Sequence, residues 1–340
     1  MKKGDKMKKV KWAILGAARV NEKIIPAITE SIHGELVAVG SRRENSAKEC
    51  VQKFAPDQSE NIECHQGFDS IINNKEIDAI YIPLSNEEHT ETAIKVINSK
   101  KHVLIEKPMA IKYKEVQLLI NAAKKNNVKI MEGFMYVFHP QFDRIQNIIN
   151  SGILGELSYA HSMFSFPIQA ARFYRINRSI TNGGGALWDI GPYAIHTIRK
   201  CFKENPIRVY AQSKLNEHGA DLSTTGMIDF GFNKNATFDI SFECFRRSEF
   251  EAFGRSGRLK CPQVWQPDNL PAKLIYSTEK SGLKEEIVPT ANHFNLEIKH
   301  FNDAILKHLN LKLDSEDAIW NSKTLEALQE SILTDKWVTL

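Results

Sequence analysis

No stretch of this 340-residue chain approaches the roughly 18 consecutive apolar residues that a membrane-spanning helix needs, so a bilayer is not an expected partner. Cysteine is sparse. The five present (Cys50, Cys64, Cys201, Cys244 and Cys261) are odd in number, widely spaced and free of any C-x-x-C pair. That spacing indicates neither a zinc site nor a disulfide framework, and a reducing cytoplasm is the simplest setting. Charge of one sign is also lacking. The formal net charge is +4, and the lysines are scattered rather than gathered in a basic stripe among aromatics, which argues against a nucleic-acid partner. The basic start, 1–9, is followed by an apolar run that is too short for a signal peptide and is broken by Lys11, so it reads as a solvated leader. No repeat appears, and no metal ligands stand at recognisable spacing.

What remains is an ordinary soluble composition, 42% hydrophobic and 25% charged, at a length that suits about two domains. Short apolar runs at 10–15, 36–40, 79–83, 103–105 and 128–131 read as buried strands. Helical patterns at 46–54, 88–98 and 115–126 separate them. Strands alternating with helices predict βαβ units and a parallel sheet. After about Gly133 the character changes. Runs at 157–166, 207–215, 224–232, 236–243 and 250–253 read as strands with few helices between them, and Asn233-Lys234-Asn235 reads as a hairpin turn. Helices are expected at 294–308 and 315–334. The fold class is therefore an α/β Rossmann domain (1–132) plus an α+β domain (133–340) with a large, mostly antiparallel sheet. The closing helices are free to pack back on the first domain.

Two segments carry chemistry. His102-Val103-Leu104-Ile105-Glu106-Lys107-Pro108 is a buried strand ending in a lysine beside a carboxylate and a proline. Catalytic groups of open α/β sheets gather at the carboxyl ends of strands, and proline ends the strand and aims the lysine. The heptapeptide alone fits a surface lysine equally well. The second segment, 183–196, is a triple glycine running into a helical pattern. Its glycines permit positive φ and close approach to a ligand. Asp189 and Tyr193 stand four apart, which on one helix puts them on one face, with His196 near it. A carboxylate, a phenol and an imidazole there suit acid/base work on a hydroxyl. A capped helix with Asp189 near its N-terminus and a half-buried tyrosine also fits.

The turn after the first strand is a degraded dinucleotide fingerprint, with Gly16, Ala18 and Asn21 where three glycines would stand. Its context, strand then helix, still suits a pyrophosphate at a helix N-terminus, and Asn21 suggests looser packing of helix on sheet. Ser41-Arg42-Arg43 closes the second strand, where an acid would select NAD. A guanidinium can take a 2′-phosphate through paired, charge-assisted bonds, so NADP is expected over NAD; two surface arginines after a strand also fit.

Taken together, these residues resemble the Gfo/Idh/MocA oxidoreductase family over nearly the whole chain. The likeness rests on the opening 10–26, Pro83-Leu84-Ser85-Asn86-Glu87-Glu88-His89, Glu106-Lys107-Pro108, Gly133-Phe134-Met135-Tyr136 and the glycine run through Tyr193. It also takes in Asn292-His293-Phe294 with Glu297 and His300-Phe301. The resemblance implies that Lys107 lies beside the nicotinamide and the reacting hydroxyl. Asp189 becomes the aspartate after the glycines, expected to orient the substrate or Lys107 through hydrogen bonds, and Tyr193 the acid/base group, while His196 falls off the family's catalytic position and is favoured as structural. Tyrosine there is similar to the branch of glucose–fructose oxidoreductase, xylose dehydrogenase and dimeric dihydrodiol dehydrogenase, which often prefers NADP. Implied cofactor contacts are Gly16, Ala17, Ala18, Arg19, Val20, Ser41, Arg42, Arg43, Pro83, Leu84, Ser85, Asn86, His89, Glu106, Lys107 and Met135. Implied substrate contacts are Arg172, Arg175, Arg178, Trp188 and Tyr193. Val137 stands where the family pattern has arginine, and 172–178 does not align with the usual single arginine.

The expected activity is NADP-dependent hydride transfer on a sugar or sugar-like polyol. A nucleotide-linked keto-sugar reductase and a trans-dihydrodiol dehydrogenase are alternatives. Readings of other classes are a catalytically silent cofactor-binding regulator and a sugar-binding module without cofactor. No metal is expected. A homodimer or homotetramer through the second domain's sheet is expected, which the apolar strand at 237–242 fits, as it also fits a buried core.

Overall fold

The computed structural model describes residues 8–267 and 270–340, so most of the basic leader lies outside the described residues. The first sheet is built from β1 (Val10–Leu15), β2 (Gly34–Ser41), β3 (Glu63–Gln66), β4 (Ala79–Ile82), β5 (His102–Glu106) and β6 (Ile130–Gly133). Its order is β3-β2-β1-β4-β5-β6 and every pair is parallel. In β1 and β4 nearly every residue is buried, as are the three central residues of β5, as expected of a parallel sheet covered by helices. The strand order reverses beside β1, and ligands of such sheets bind at the carboxyl ends there. The sequence reading misses β3, whose polar Glu63, Cys64, His65 and Gln66 lie at the sheet edge and bury no apolar face.

The second sheet comprises β7 (Leu157–Ser165), β8 (Arg208–Leu215), β9 (Asp221–Gly231), β10 (Lys234–Ser241), β11 (Arg247–Gly254), β12 (Gly257–Cys261), β13 (Ala272–Thr278), β14 (Gly282–Val288) and β15 (Val338–Thr339). Its order is β14-β13-β12-β11-β7-β10-β9-β8-β15, antiparallel except for β7 against β10. The sequence reading stops short of β12, β13 and β14. Strand β14 exposes most of its length, so it carries no burial pattern to read. The β9–β10 hairpin turns at Phe232 and Asn233, both at positive φ (47° and 62°), one residue before the expected site.

One face of this sheet packs on the helix Gly191–Phe202. The alternation in β10 assigns its apolar residues to that face: Ala236, Phe238 and Ile240 are buried. The opposite face carries Tyr159, His161, Thr237, Asp239 and Arg247, tied by a Tyr159–Thr237 hydrogen bond and an Arg247–Asp239 ion pair. The apolar content of 237–242 is therefore core, and it does not mark an association surface.

The chain divides into two units. One holds the chain up to Ala110, Lys114–Met135 and Asn292–Ala318, and the other holds Ile111–Tyr113, Tyr136–Ala291 and Ile319–Leu340. In the first unit the late helix His293–Leu306 packs on β1 and on the helix Asn21–Thr29. Trp12 anchors it by donating Nε1–H to Asn302 Oδ1 at 2.8 Å and by meeting Phe301 at 5.4 Å. The five cysteines are unpaired. No helix among the described residues is long and apolar enough to cross a membrane.

Candidate active site

The turn after β1 begins with Gly16 at φ +130°, a conformation that favours glycine, and a Cβ there would stand 3.1 Å from Leu84 and 3.6 Å from Pro83. The loops after β1 and β4 thus touch. Ala17 and Ala18 are partly exposed, Arg19 is exposed, and Val20 precedes the helix Asn21–Thr29 without any side chain capping its first N–H groups. The N–H groups of Asn21, Glu22 and Lys23 bond the carbonyls of Ala18, Arg19 and Val20, and the positive end of the helix behind small residues fits a pyrophosphate. Asn21 corrects the expectation of loose packing. It is fully buried and donates to the Gly16 carbonyl at 2.8 Å and to Cys50 Sγ at 3.3 Å, so it pins the turn.

At the end of β2, Ser41 is buried and accepts from the Arg43 N–H at 3.3 Å, while Arg42 and Arg43 are exposed. Arg42 lies over the Phe68 ring and forms an ion pair with Glu88, a residue the sequence reading gives no role. Ser85 donates to the other Glu88 oxygen at 2.5 Å. Burial raises the Glu88 pKa, but Arg42 and Ser85 outweigh it and hold the carboxyl below its ordinary range.

His89 was expected at the cofactor; the structure makes it a clasp instead. It is fully buried, with Nδ1 at 2.8 Å from the Pro108 carbonyl and Nε2 at 3.0 Å from the Leu84 carbonyl. Burial lowers its pKa against the pull of those carbonyls, and the Lys107 charge adds to the lowering. It ties the loop after β4 to the loop after β5. Asn86 lies in the short turn between them, Asn86–Glu88.

Lys107 is only 9% exposed and follows β5 directly, with a cis bond to Pro108. Its neighbour Glu106 accepts from the Tyr81 hydroxyl at 2.6 Å, and Glu132 accepts from the Met109 N–H at 2.8 Å, so the loop is held from β4 and β6. Glu297 on the late helix is buried, and desolvation with the Glu106 charge drives its carboxyl well above the ordinary range. Met135 is buried at the end of this unit.

In the second unit the glycine run serves the chain's own packing. A Cβ on Gly184 would lie 1.9 Å from the Arg178 carbonyl, and one on Gly185 (φ +90°) 1.8 Å from Asp221 Oδ1. The close approach is thus protein to protein rather than protein to ligand. Asp221 is buried at the start of β9. It accepts from the Leu187 N–H and the Thr224 hydroxyl, each at 2.7 Å, and so anchors the turn. Burial pushes its carboxyl up to about 6 against those bonds. A lone aspartate at a strand start gives no sequence signal of this pairing.

The expected single helix through Asp189 and Tyr193 is two. One spans Ala186–Asp189, the other Gly191–Phe202, and Ile190 breaks them with Pro192 at the second start. Asp189 is buried and receives Arg172 Nη2 at 2.9 Å on Oδ2 and Arg175 Nη1 on Oδ1. It fixes two guanidinium groups that remain about a quarter exposed (24% and 27%), while Arg178 contributes its carbonyl beneath Gly184. Trp188 is corrected from substrate contact to core: it is fully buried, and its N–H donates to the Ile180 carbonyl at 2.8 Å and to Gln329 Oε1 at 3.0 Å.

Tyr193 is 6% exposed, and its ring stands 5.8 Å from Phe164, 6.0 Å from Tyr136 and 6.5 Å from Trp265. His196 is buried behind it, with Nδ1 at the Tyr136 hydroxyl, which also meets Thr197 at 3.0 Å; Trp265 donates to Thr197 at 2.7 Å. This polar network holds the wall around Tyr193, and Tyr136 within it has no individual sequence signal.

Comparison with known proteins places the chain. A model for an oxidoreductase family with an NAD-binding Rossmann fold matches residues 10–134, and one for the GFO/IDH/MocA C-terminal domain matches 142–260. An uncharacterised oxidoreductase of Rhizobium meliloti is 31% identical, covering 97% of this chain and 99% of the relative. A D-xylose 1-dehydrogenase (NADP+) of Haloferax volcanii is 28% identical over 97% of this chain and 99% of its own. Among solved structures, a 3-ketoreductase from Actinomadura kijaniata in complex with NADP and TDP-benzene superposes with a TM-score of 0.88. It is 22% identical and covers 96% of this chain and 98% of its own.

Proposed function

The chain belongs to the GFO/IDH/MocA oxidoreductase family, and we propose that it moves a hydride between NADP and a hydroxyl- or carbonyl-bearing carbon of a sugar or sugar-like polyol. The observation that carries this reading is Lys107, nearly buried at the carboxyl end of β5 in a sheet of dinucleotide-binding order. The nicotinamide, when bound, supplies or accepts the hydride. The residues proposed to hold the nucleotide are the turn Gly16–Val20, Ser41, Arg42 and Arg43, the loop 83–86, and Glu106. The full-length likeness to an NADP-dependent xylose dehydrogenase supports the cofactor and the sugar class.

Tyr193 is proposed to exchange the proton of the reacting hydroxyl. A free phenol has a pKa of about 10, so ionisation near neutrality needs a cation. Lys107 is proposed as that cation. Arg172 and Arg175, fixed by Asp189, are proposed to bind substrate oxygens, and Asp189 acts through them. We place the enzyme in the cytoplasm and assign the open face of the second sheet to a homodimer or homotetramer. That face would associate through polar and charged groups.

The test is reduction of NADP+ and NAD+ by the purified protein over aldoses, anhydro-sugars, polyols and trans-dihydrodiols. Turnover with NADP+ on a sugar or polyol is expected. Turnover on dihydrodiols alone would replace the substrate class, and turnover with NAD+ alone would replace the cofactor.

A further inference from the structure

Arg42 and Glu88 come from opposite sides of one crevice. Arg42 follows β2, Glu88 follows the loop after β4, and β1 lies between those strands. Their ion pair therefore crosses above the carboxyl end of β1, where Gly16 opens the nucleotide turn. Arg42 is held from two sides. Phe68 lies under the guanidinium at 5.9 Å, and Glu88 is itself fixed by Ser85. The guanidinium is 62% exposed on its side chain and the carboxylate 24%, so the pair is accessible to a ligand.

We propose that Glu88 is a specificity-determining residue that limits the preference for NADP over NAD by competing with the 2′-phosphate for Arg42. The proposal rests on the reading of Arg42 as the 2′-phosphate residue. A phosphate reaching Arg42 must replace a carboxylate already there, and that carboxylate repels it. An exposed ion pair is weak, while a guanidinium binds phosphate through paired, charge-assisted bonds, so the exchange still favours NADP. NAD presents only a 2′-hydroxyl and leaves the Arg42–Glu88 pair intact. Discrimination is thus smaller than an unpaired arginine would give. The sequence pattern at the end of β2 misses this, because the opposing acid lies 46 residues downstream of Arg42.

Titration calorimetry with NADP+, NAD+ and 2′-AMP tests this on the wild type, Glu88→Gln, Arg42→Ala and the double variant. Glutamine keeps the length and removes the charge. Glu88→Gln is expected to tighten NADP+ and 2′-AMP by roughly three- to tenfold, with NAD+ changed less than about twofold, and the gain should shrink when Arg42 is absent. An unchanged or reduced NADP+/NAD+ ratio in Glu88→Gln overturns the proposal. Arg42→Ala reads the parent assignment separately. If it leaves NADP+ affinity unchanged, or if the wild type binds neither nucleotide, the NADP reading fails and the Glu88 role with it. If Arg42→Ala weakens NADP+ and Glu88→Gln does nothing, only the Glu88 role fails.

Discussion

At the residue scale, the account depends on groups that fold into the interior while keeping reactive chemistry. A lysine or tyrosine so deeply placed serves packing poorly unless its charge or hydroxyl is used. Lys107→Met keeps length and bulk, and turnover is expected to fall by roughly 10²–10⁴, with NADP+ affinity by calorimetry changed less than about threefold. Tyr193→Phe should give a similar fall in kcat. The combined variant should lose little more than either single one if both act on one substrate, and a double-mutant cycle measures that coupling. Asp221 makes a separate prediction. Its folded-state carboxyl is pushed up to about 6 from an ordinary 3.8. The folded protein therefore binds the extra proton between those values, and stability is full below about pH 4 and falls as pH rises through 6. The loss is about 3 kcal/mol. Asp221→Asn should flatten that part of the stability–pH profile, read by urea denaturation at pH 4 and pH 7.

At the scale of elements, the glycine run and the nucleotide turn show what periodicity conveys and what it omits. Burial on both faces made β1, β4 and β5 legible, and the periodic pattern of Ser46–Phe54 fixed that helix to its ends. Local chemistry decided the rest. A proline and one break residue split the expected helix at Ile190, and long-range partners set the fate of single side chains. Asn21 cannot be read as a turn pin without the Gly16 carbonyl, nor Gly185 as mandatory without Asp221. Gly185→Ala meets both a positive φ and a carboxylate oxygen at 1.8 Å, so we expect more than about 2 kcal/mol of destabilisation or failure to accumulate as soluble protein. Asn21→Gly restores a fingerprint glycine yet removes the buried bond to Gly16. It should lower stability by about 1–2 kcal/mol by chemical denaturation without tightening NADP+.

At the scale of the whole molecule, the family and the fold class were legible because the motifs that carry them are contiguous in the chain. The contacts of Glu88, Asp221 and Trp188 were not, because each joins partners between 8 and 141 residues apart. Nucleotide binding to the folded state should raise the midpoint of thermal unfolding. At a concentration 100 times Kd the gain is about 2.7 kcal/mol, so NADP+ should stabilise more than NAD+ at equal concentration. The most direct test of the central claim follows the hydrogen itself. With substrate deuterated at the reacting carbon and NADP+, mass spectrometry of the reduced nucleotide should find the deuterium on the nicotinamide. Lys107→Met and Tyr193→Phe should slow its arrival by orders of magnitude. Deuterium released to water instead, or arriving at wild-type rate in both variants, would contradict the account.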